Sequence, residues 1–390
     1  MTPSGAPRAM IFEQVSEMGH EQVVFCYDRE TGVRAIIAVH DSTLGKEQPS
    51  GVRASLGGTR RRAYRGVDDA LEDVLRLSEG MTYKSAAAEL ELGGAKSVVL
   101  LDSKDAEKNP TEREAVVMGK FVHRMGGRYV AAEDMNVTEQ YVDWMAEVTD
   151  YVIGGKTRAR GGDPSPYTAR GVVNAIKGGL TYANGAPDVA GVSVAIQGLG
   201  SVGEKVARML AQEGASLVVT DTRKEKVDEV VAATGATAVN PDDILAVECD
   251  VLCPCAIGQV INDDTIGGLK CRIVAPGANN VLDKPFEHAA ALRQRGIVYC
   301  PDFINNAGGV IRLGGLYIGL SEDEITEKIE RITPRLIEIL KTAESMESTY
   351  HAALAYAKER IKAGVARGQA GPSARDRVGE SAPAQSIGGL

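Results

Sequence analysis

The sequence predicts an α/β protein of two domains, the second of them a doubly wound parallel sheet. Three observations carry this reading. Strand-like and helix-like segments alternate along most of the chain, a glycine- and proline-bearing stretch from Gly154 to Pro166 divides that alternation in two, and a strand, a glycine turn and a helix follow one another early in the second half. A length of 390 residues accommodates two domains of ordinary size.

The first ten residues are a polar lead. Gln22 to Tyr27 and Val33 to His40 are β-branched, partly alternating runs joined by Arg29-Glu30-Thr31-Gly32, a hairpin signal. From Val67 to Leu90 the apolar residues Ala70, Leu71, Val74 and Leu75 recur at helical spacing, and the interruption at Gly80 predicts two helices. Lys96 to Asp102 is a buried strand, Glu112 to Arg124 a helix and Arg128 to Ala132 a further strand, so residues 10–150 form the first domain. The second domain, residues 165–335, opens with a helix at Thr168 to Leu180. Strand Val192 to Ile196, helix Val202 to Glu213, strand Ser216 to Thr220 and helix Lys224 to Ala233 follow, and strands at Asp250 to Leu252, Arg272 to Val274 and Ile297 to Cys300 complete the sheet. Helices come next at Asp323 to Leu340 and Ser348 to Ile361, and the last one, near 341–363, is expected to return over the first domain. Residues 364–390 are rich in Gly, Ala, Ser and Pro without an apolar period, which predicts a disordered tail.

Hydrophobic residues at 44% and charged residues at 25% exclude wholesale disorder and a collagen or disulfide scaffold. A net charge of -9 and the lack of a dense lysine/arginine cluster argue against nucleic acid and against an anionic membrane as partners. No run approaches the length of an apolar membrane span, and MTPSGAPRAM lacks the apolar core of a secretory signal, so a cytoplasmic location is expected. The cysteines lie in or beside strand-like runs without C-x-x-C spacing and read as buried reduced thiols, although Cys253-Pro254-Cys255 admits a metal or redox reading. The histidines are scattered without ligand spacing, and no metal is expected.

Gly198-Leu199-Gly200-Ser201-Val202-Gly203 follows the apolar run VSVAI and opens a helix, the order that a Rossmann-type dinucleotide site requires. Gly198 makes the turn, Gly200 lets backbone approach a pyrophosphate at the helix N-terminus, and Gly203 lets helix and strand pack closely. Asp221 ends the next strand eighteen positions after Gly203, where an acid accepts hydrogen bonds from a ribose 2′-hydroxyl and repels a 2′-phosphate, favouring NAD. Arg223 and Lys224 could instead pair with such a phosphate or stand as solvated charges.

In the first half, Lys84 stands within MTYKSAAAEL, and Lys96 lies between a glycine turn and a fully apolar strand. Desolvation and a second ammonium nearby lower a lysine pKa, which turns a lysine into a general base; a surface role fits the residue types as well. Asp134, in AAEDMNVT, sits at the C-terminal end of a strand, a place suited to chemistry or to capping the next helix.

MTYKSAAAELELGGAKSVV, AAEDMNVT, GGDPSPYTARGV, VAIQGLGSVG, VLCPCAIGQVIN, VAPGANNVL and PDFINNAGGVI, in this order and spacing, resemble the leucine/valine/phenylalanine branch of the amino acid dehydrogenases related to glutamate dehydrogenase. The resemblance runs from about Met10 to Ile361. It implies an N-terminal α/β domain for substrate and oligomerisation, a Rossmann-type NAD-binding domain, and a homo-oligomer. The implied reaction converts an L-amino acid, NAD and water reversibly to a 2-oxo acid, ammonia and NADH. By the same resemblance Lys84 binds the substrate α-carboxylate, Lys96 is the general base that activates water, and Asp134 takes part in proton transfer. Asn306 would hold the substrate's amino or carboxylate group, and Thr168 and Asn280 meet the nicotinamide end. The implied side-chain pocket comprises Leu56, Gly57, Ala132, Leu336 and Ile339, an aliphatic lining that favours leucine, valine or isoleucine over glutamate. An aromatic substrate, phenylalanine or tryptophan, is the alternative, as is an inactive NAD-binding regulatory protein. Two departures stand out: the family's Gly-Gly-Gly-Lys reads Gly93-Gly94-Ala95-Lys96 here, which is costly if that position needs positive φ, and KEQPSGVR between Gly45 and Leu56 is an expected insertion beside the pocket.

Overall fold

Two sheets organise the chain in the computed structural model, which describes residues 11–369. After a short helix α1 (Ile11–Glu17), the first sheet is built from β1 (Gln22–Tyr27), β2 (Arg34–Asp41), β3 (Ser55–Arg62), β4 (Gly93–Leu100) and β5 (Tyr129–Ala132), in the order β1-β2-β4-β3-β5. The β1/β2 and β2/β4 pairs are antiparallel, whereas β3 runs parallel to both β4 and β5. Helix α2 (Val67–Ala87) crosses from β3 to β4; α3 (Lys104–Lys108) and α4 (Glu112–His123) precede β5, and α5 (Glu139–Met145) follows it.

Helix α6 (Ser165–Asn184) leads into the second sheet, made of β6 (Ser193–Gln197), β7 (Ser216–Thr220), β8 (Thr237–Ala238), β9 (Glu248–Pro254), β10 (Lys270–Val274) and β11 (Val298–Tyr299). Every pair is parallel and the order is β8-β7-β6-β9-β10-β11. The chain leaves β6 in one direction and resumes at β9 in the other. Their C-terminal ends therefore flank a topological switch point, the crevice where such sheets take ligands. Helices α7 (Gly203–Gln212), α8 (Lys224–Thr234) and α9 (Pro285–Gln294) belong to this layer; α10 (Asp302–Asn305), α11 (Gly308–Ile318), α12 (Glu322–Glu330), α13 (Ile332–Thr342) and α14 (Thr349–Gln369) close the chain.

Helix α6 is buried along Val172, Val173, Ile176 and Leu180 and packs against α7, α11 and α13. Helix α14 lies on α2. Around the C-terminus of α2, Arg360 Nε donates to Ala86 O at 3.0 Å, Lys328 Nζ to Glu89 O at 3.0 Å and the Tyr356 hydroxyl to Glu89 Oε1 at 3.1 Å. Cations at a helix C-terminus answer its exposed carbonyls and dipole, and here they join α12 and α14 to α2.

Four details differ from the sequence expectation. Gly80 does not split α2, because one mid-helix glycine costs only ~1 kcal/mol and the buried stripe runs on through Ser78, Thr82 and Ser85. The single helix expected at 323–340 breaks at Arg331 into α12 and α13, since Pro334 lacks an N–H and is tolerated only in a first turn. Strand β3 was hidden by its glycines and arginines, yet Arg61 is fully buried within it, held by Glu114 and by backbone carbonyls. Finally, α14 continues to Gln369, because Gly364 lets it lie against Leu44; the rest of the expected tail, residues 370–390, lies outside the described residues. No helix among the described residues is long and apolar enough to cross a membrane.

Candidate active site

The two sheets face each other across a cavity of about 470 Å³. From the first sheet's side Leu56, Gly57, Arg60, Lys84, Lys96 and Asp134 line it; from the second, Thr168, Val202, Asn279, Asn280, Asp302 and Asn306. Parallel pairing sets Leu56 opposite Gly94 on β4 and Val130 on β5, so β3 holds the floor of the cleft in register with the strands bearing Lys96 and Ala132. This close packing requires glycine at position 57, where a Cβ would sit 1.6 Å from the Ala95 carbonyl oxygen.

Lys96 is 5% exposed, and its Nζ lies 3.0 Å from Asp134 Oδ2. The same oxygen accepts from Arg60 Nε at 2.8 Å, and Arg60 Nη1 donates to Asp73 at 3.0 Å, which also holds the Tyr64 hydroxyl. Burial pushes the Asp134 carboxyl up, but Lys96 and Arg60 together outweigh it and hold it down at about 2. Burial likewise pulls the Lys96 ammonium below its usual value, with Arg60 adding to the fall and Asp134 opposing it. Lys84, on α2, donates to Asn279 Oδ1 at 2.8 Å, and Asn306 Nδ2 donates to that same oxygen at 2.9 Å, so the two sides of the cleft meet there. Burial brings Lys84 down to about 8, with the nearby Asp302 carboxylate opposing the fall. Asp302 is itself buried, and that burial pushes its carboxyl up.

The turn at residues 198–203 joins β6 to α7. Gly198 has φ of +92°, and a Cβ on it would press on Ala256; a Cβ on Gly203 would meet Gly198 O at 1.9 Å. Gly200 faces open space, Ser201 is exposed, and no side chain caps the N-terminus of α7. An open approach to uncapped backbone N–H groups fits a pyrophosphate. Asp221, at the end of β7, accepts from Leu199 N at 2.7 Å and from the Arg223 backbone and side chain at 2.9 to 3.1 Å. Its carboxyl is held well below the usual range, first by the Arg223 guanidinium. Lys224 pairs instead with Asp228. Asn280, at the cleft, has φ of +51°.

Two pocket residues lie elsewhere. Leu336 and Ile339 are 0% and 1% exposed on α13, where with Ile332 and Leu340 they form the apolar stripe packed against α6, away from the cleft. Val310 and Leu313, on α11, take their place beside Leu56 and Ala132. KEQPSGVR forms a small hairpin bridged between Glu47 and Arg53, and Ser50 Oγ donates to Gly126 O, so the insertion packs near Gly126 and does not line the cavity. Ala95 is ordinary extended strand, fully buried, without positive φ. Sequence reasoning missed Arg60, Asn279 and Asp302; the Arg60-Arg61-Arg62 run and the paired asparagines at 279–280 were the signals available. Cys253 and Cys255 are free thiols with Sγ atoms 3.6 Å apart, and no group of three or more His, Cys, Asp or Glu among the described residues could hold a metal.

Residues 20–151 match the family model for the Glu/Leu/Phe/Val dehydrogenase dimerisation domain, and residues 217–371 that for glutamate/leucine/phenylalanine/valine dehydrogenase. The chain is 42% identical to leucine dehydrogenase of Geobacillus stearothermophilus, over 90% of this chain and 93% of that one. It is 41% identical to phenylalanine dehydrogenase of Bacillus thermotolerans, over 90% and 91%. The solved structure of L-tryptophan dehydrogenase from Nostoc punctiforme superimposes with a TM-score of 0.77 at 35% identity, covering 90% of this chain and 99% of that one. The chain belongs to the glutamate/leucine/phenylalanine/valine dehydrogenase family, in its leucine/valine/phenylalanine branch, and is an NAD(P)-dependent oxidoreductase acting on the CH–NH2 group of an amino acid.

Proposed function

We propose that the enzyme catalyses the NAD-dependent, reversible oxidative deamination of a non-polar L-amino acid, with leucine, valine and isoleucine favoured. The observation that carries the substrate reading is the wall formed by Leu56, Ala132, Val310 and Leu313. The cations that line the same cavity are already engaged: Arg60 and Lys96 with Asp134, Arg76 with Asp73, Lys84 with Asn279. A glutamate side-chain carboxylate would be buried there without a partner, a cost of several kcal/mol that its methylenes, at ~0.8 kcal/mol each, do not offset.

A dinucleotide held at the turn of residues 198–203 would supply the acceptor for the hydride that leaves the substrate Cα. The Lys84 ammonium, fixed by Asn279, would take the α-carboxylate and orient the Cα–H bond. Asn306, on the same Asn279 oxygen, would hold the other end of the α-carbon's polar groups, and Thr168 and Asn280 would border the nicotinamide. Lys96, its ammonium already weakened by burial, would act as base toward the water that attacks the imine carbon. Asp134, kept ionised by Arg60, would receive or return the amine proton beside it. For the cofactor, Arg223 is clamped on Asp221 and Lys224 on Asp228, so the ionised Asp221 favours the ribose hydroxyl of NAD over a phosphate. We further propose a cytoplasmic homo-oligomer assembled through the first domain, residues 10–150 with the returning last helix, alongside a dinucleotide domain at 165–335; the dimerisation-domain match over residues 20–151 supports the assembly.

Initial rates at the NADH absorbance band with leucine, valine, isoleucine, phenylalanine, tryptophan and glutamate, each with NAD and NADP, test the reading. Branched aliphatic substrates with NAD should lead, and kcat/KM for glutamate should be lower by about 100-fold, near 2.7 kcal/mol. Glutamate within about tenfold of the best substrate, near 1.4 kcal/mol, would sink the pocket argument. An aromatic winner would overturn the aliphatic preference, and equal use of NADP would overturn the role of Asp221.

A further inference from the structure

Glu133 has no part in the reaction as derived above, yet it lines the cleft directly before Asp134. Its Oε1 is buried and takes no hydrogen bond among the described residues. The Asp134 oxygen beside it is already filled by Lys96 and Arg60. The stem of Glu133 passes beside Gly154 and Leu313, where a Cβ on Gly154 would lie 3.8 Å from its Cγ. Two further carboxylates face it: Glu139, from α5, and Asp163, just before α6, which in turn holds Ser165 and, at 3.5 Å, Lys205. Burial, then Glu139, then Asp163 push the Glu133 carboxyl up to about 7. A buried acceptor without a donor is costly, and an N–H of a cation relieves that cost most effectively.

In the reductive direction an ammonium ion must enter a cleft that carries the cations Lys84, Lys96, Arg60 and Arg76 and the carboxylates Glu79, Glu133, Asp134 and Asp302. Asp134 is held by Lys96 and Arg60, Glu79 takes the Tyr83 hydroxyl, and Asp302 takes backbone N–H groups. We propose that Glu133 is the ammonium-docking residue of this cleft: its free carboxylate oxygen accepts an N–H of the incoming ion and then takes that proton. The N–H bond breaks, its electron pair stays on nitrogen, and neutral ammonia is delivered beside the 2-oxo acid carbonyl. In the oxidative direction the same oxygen returns the proton to departing ammonia. The inference rests on the amino acid dehydrogenase reading above and on the substrate orientation set by Lys84.

Steady-state reductive amination by the full-length enzyme tests it, with ammonium chloride and a branched 2-oxo acid varied in turn. Glu133→Gln should raise KM for ammonium about tenfold or more, the loss expected for one hydrogen bond to a charged group. KM for the 2-oxo acid and the affinity for NADH, read by fluorescence, should stay within about twofold of wild type, a gap of ~0.4 kcal/mol. In the wild type, KM for ammonium should fall as pH rises through about 7 as the carboxyl ionises, and the variant should lose that inflection. An ammonium KM unchanged in the variant, or an equal rise for ammonium and 2-oxo acid, overturns the proposal. Should Glu133→Gln fail to bind NADH, Glu133→Ala must show the same selective rise, and its failure to do so also overturns it. A wild type inactive with every amino acid would instead remove the underlying substrate reading, before any variant is compared.

Discussion

On the first sheet's side of the cleft, Arg60 and Lys96 both hold Asp134 within 3.0 Å, with Lys96 buried and the other two partly buried, before any substrate arrives. On the second sheet's side, the turn at residues 198–203 presents backbone, an uncapped helix and a single acid at the end of β7, and Gly200 faces open space. The first arrangement positions charge by opposing charges, at a desolvation cost that the pairing offsets; the second leaves its donors for the ligand to satisfy. The proposed roles therefore place chemistry and cofactor capture on separate elements, and it should be possible to damage one without the other.

The strongest way to break that separation is Lys96→Ala. Removing a general acid–base group should lower kcat by about 100- to 10,000-fold. NAD affinity, measured by fluorescence titration, should remain within about twofold, ~0.4 kcal/mol, because Lys96 lies on β4 and touches no residue of the turn. A parallel loss of NAD affinity would mean that the two sides of the cleft are coupled. Retained turnover would remove Lys96 from the chemistry.

The same contrast governs what could be read from the sequence. The strand-turn-helix order around Gly198 to Gly203 was legible because its parts are local: the glycines and Asp221 sit within one strand-turn-helix-strand run. The charged cluster draws Arg60 from β3, Lys96 from β4 and Asp134 from beyond β5, residues that only sheet pairing brings together. Resemblance to a family supplied Lys96 and Asp134. Arg60 stayed hidden in a run whose members have separate fates: Arg60 in the cleft, Arg61 buried against Glu114, Arg62 over the Tyr64 ring. Leu336 and Ile339 misled for a related reason. An apolar stripe at helical spacing serves a core as well as a pocket, and only the packing of α13 on α6 distinguishes the two.

A smaller effect sharpens the comparison through pH. Asp134, held at about 2 in the fold, lies below its unfolded value of ~3.9. It therefore contributes stability above pH ~5 that is lost as the pH falls through the folded value, on the order of 2 kcal/mol in all. In urea titrations, Asp134→Asn should be more destabilising at pH 7 than at pH 3, by roughly 1 kcal/mol. Glu133 runs the other way: it is neutral in the fold up to about 7, so the folded state binds the extra proton and stability declines as pH rises from its unfolded value of ~4.3 toward 7. The destabilisation profile of Asp134→Asn should thus slope oppositely to that of Glu133→Gln, and parallel slopes would mean that the Arg60 pairing does not hold Asp134 ionised.

The smallest expected effect concerns Ala95, the alanine before Lys96. A positive φ at that position would make Ala95→Gly stabilising, with Lys96 relaxing toward better turnover. Position 95 is instead ordinary strand: its methyl is fully buried, and its carbonyl oxygen presses on Gly57, which is where the close approach demands glycine. Restoring glycine at 95 removes a buried methyl and adds chain freedom to the unfolded state, for a loss of about 1 kcal/mol. Lys96 remains held by Asp134 whichever residue precedes it, so kcat should change by less than about twofold, ~0.4 kcal/mol. Paired urea unfolding and initial-rate measurements on Ala95→Gly distinguish the cases: a gain in stability or a several-fold gain in kcat would show strain at position 95, and a modest loss of stability at constant kcat would show that the glycine requirement lies at position 57, where a Cβ would meet the Ala95 carbonyl.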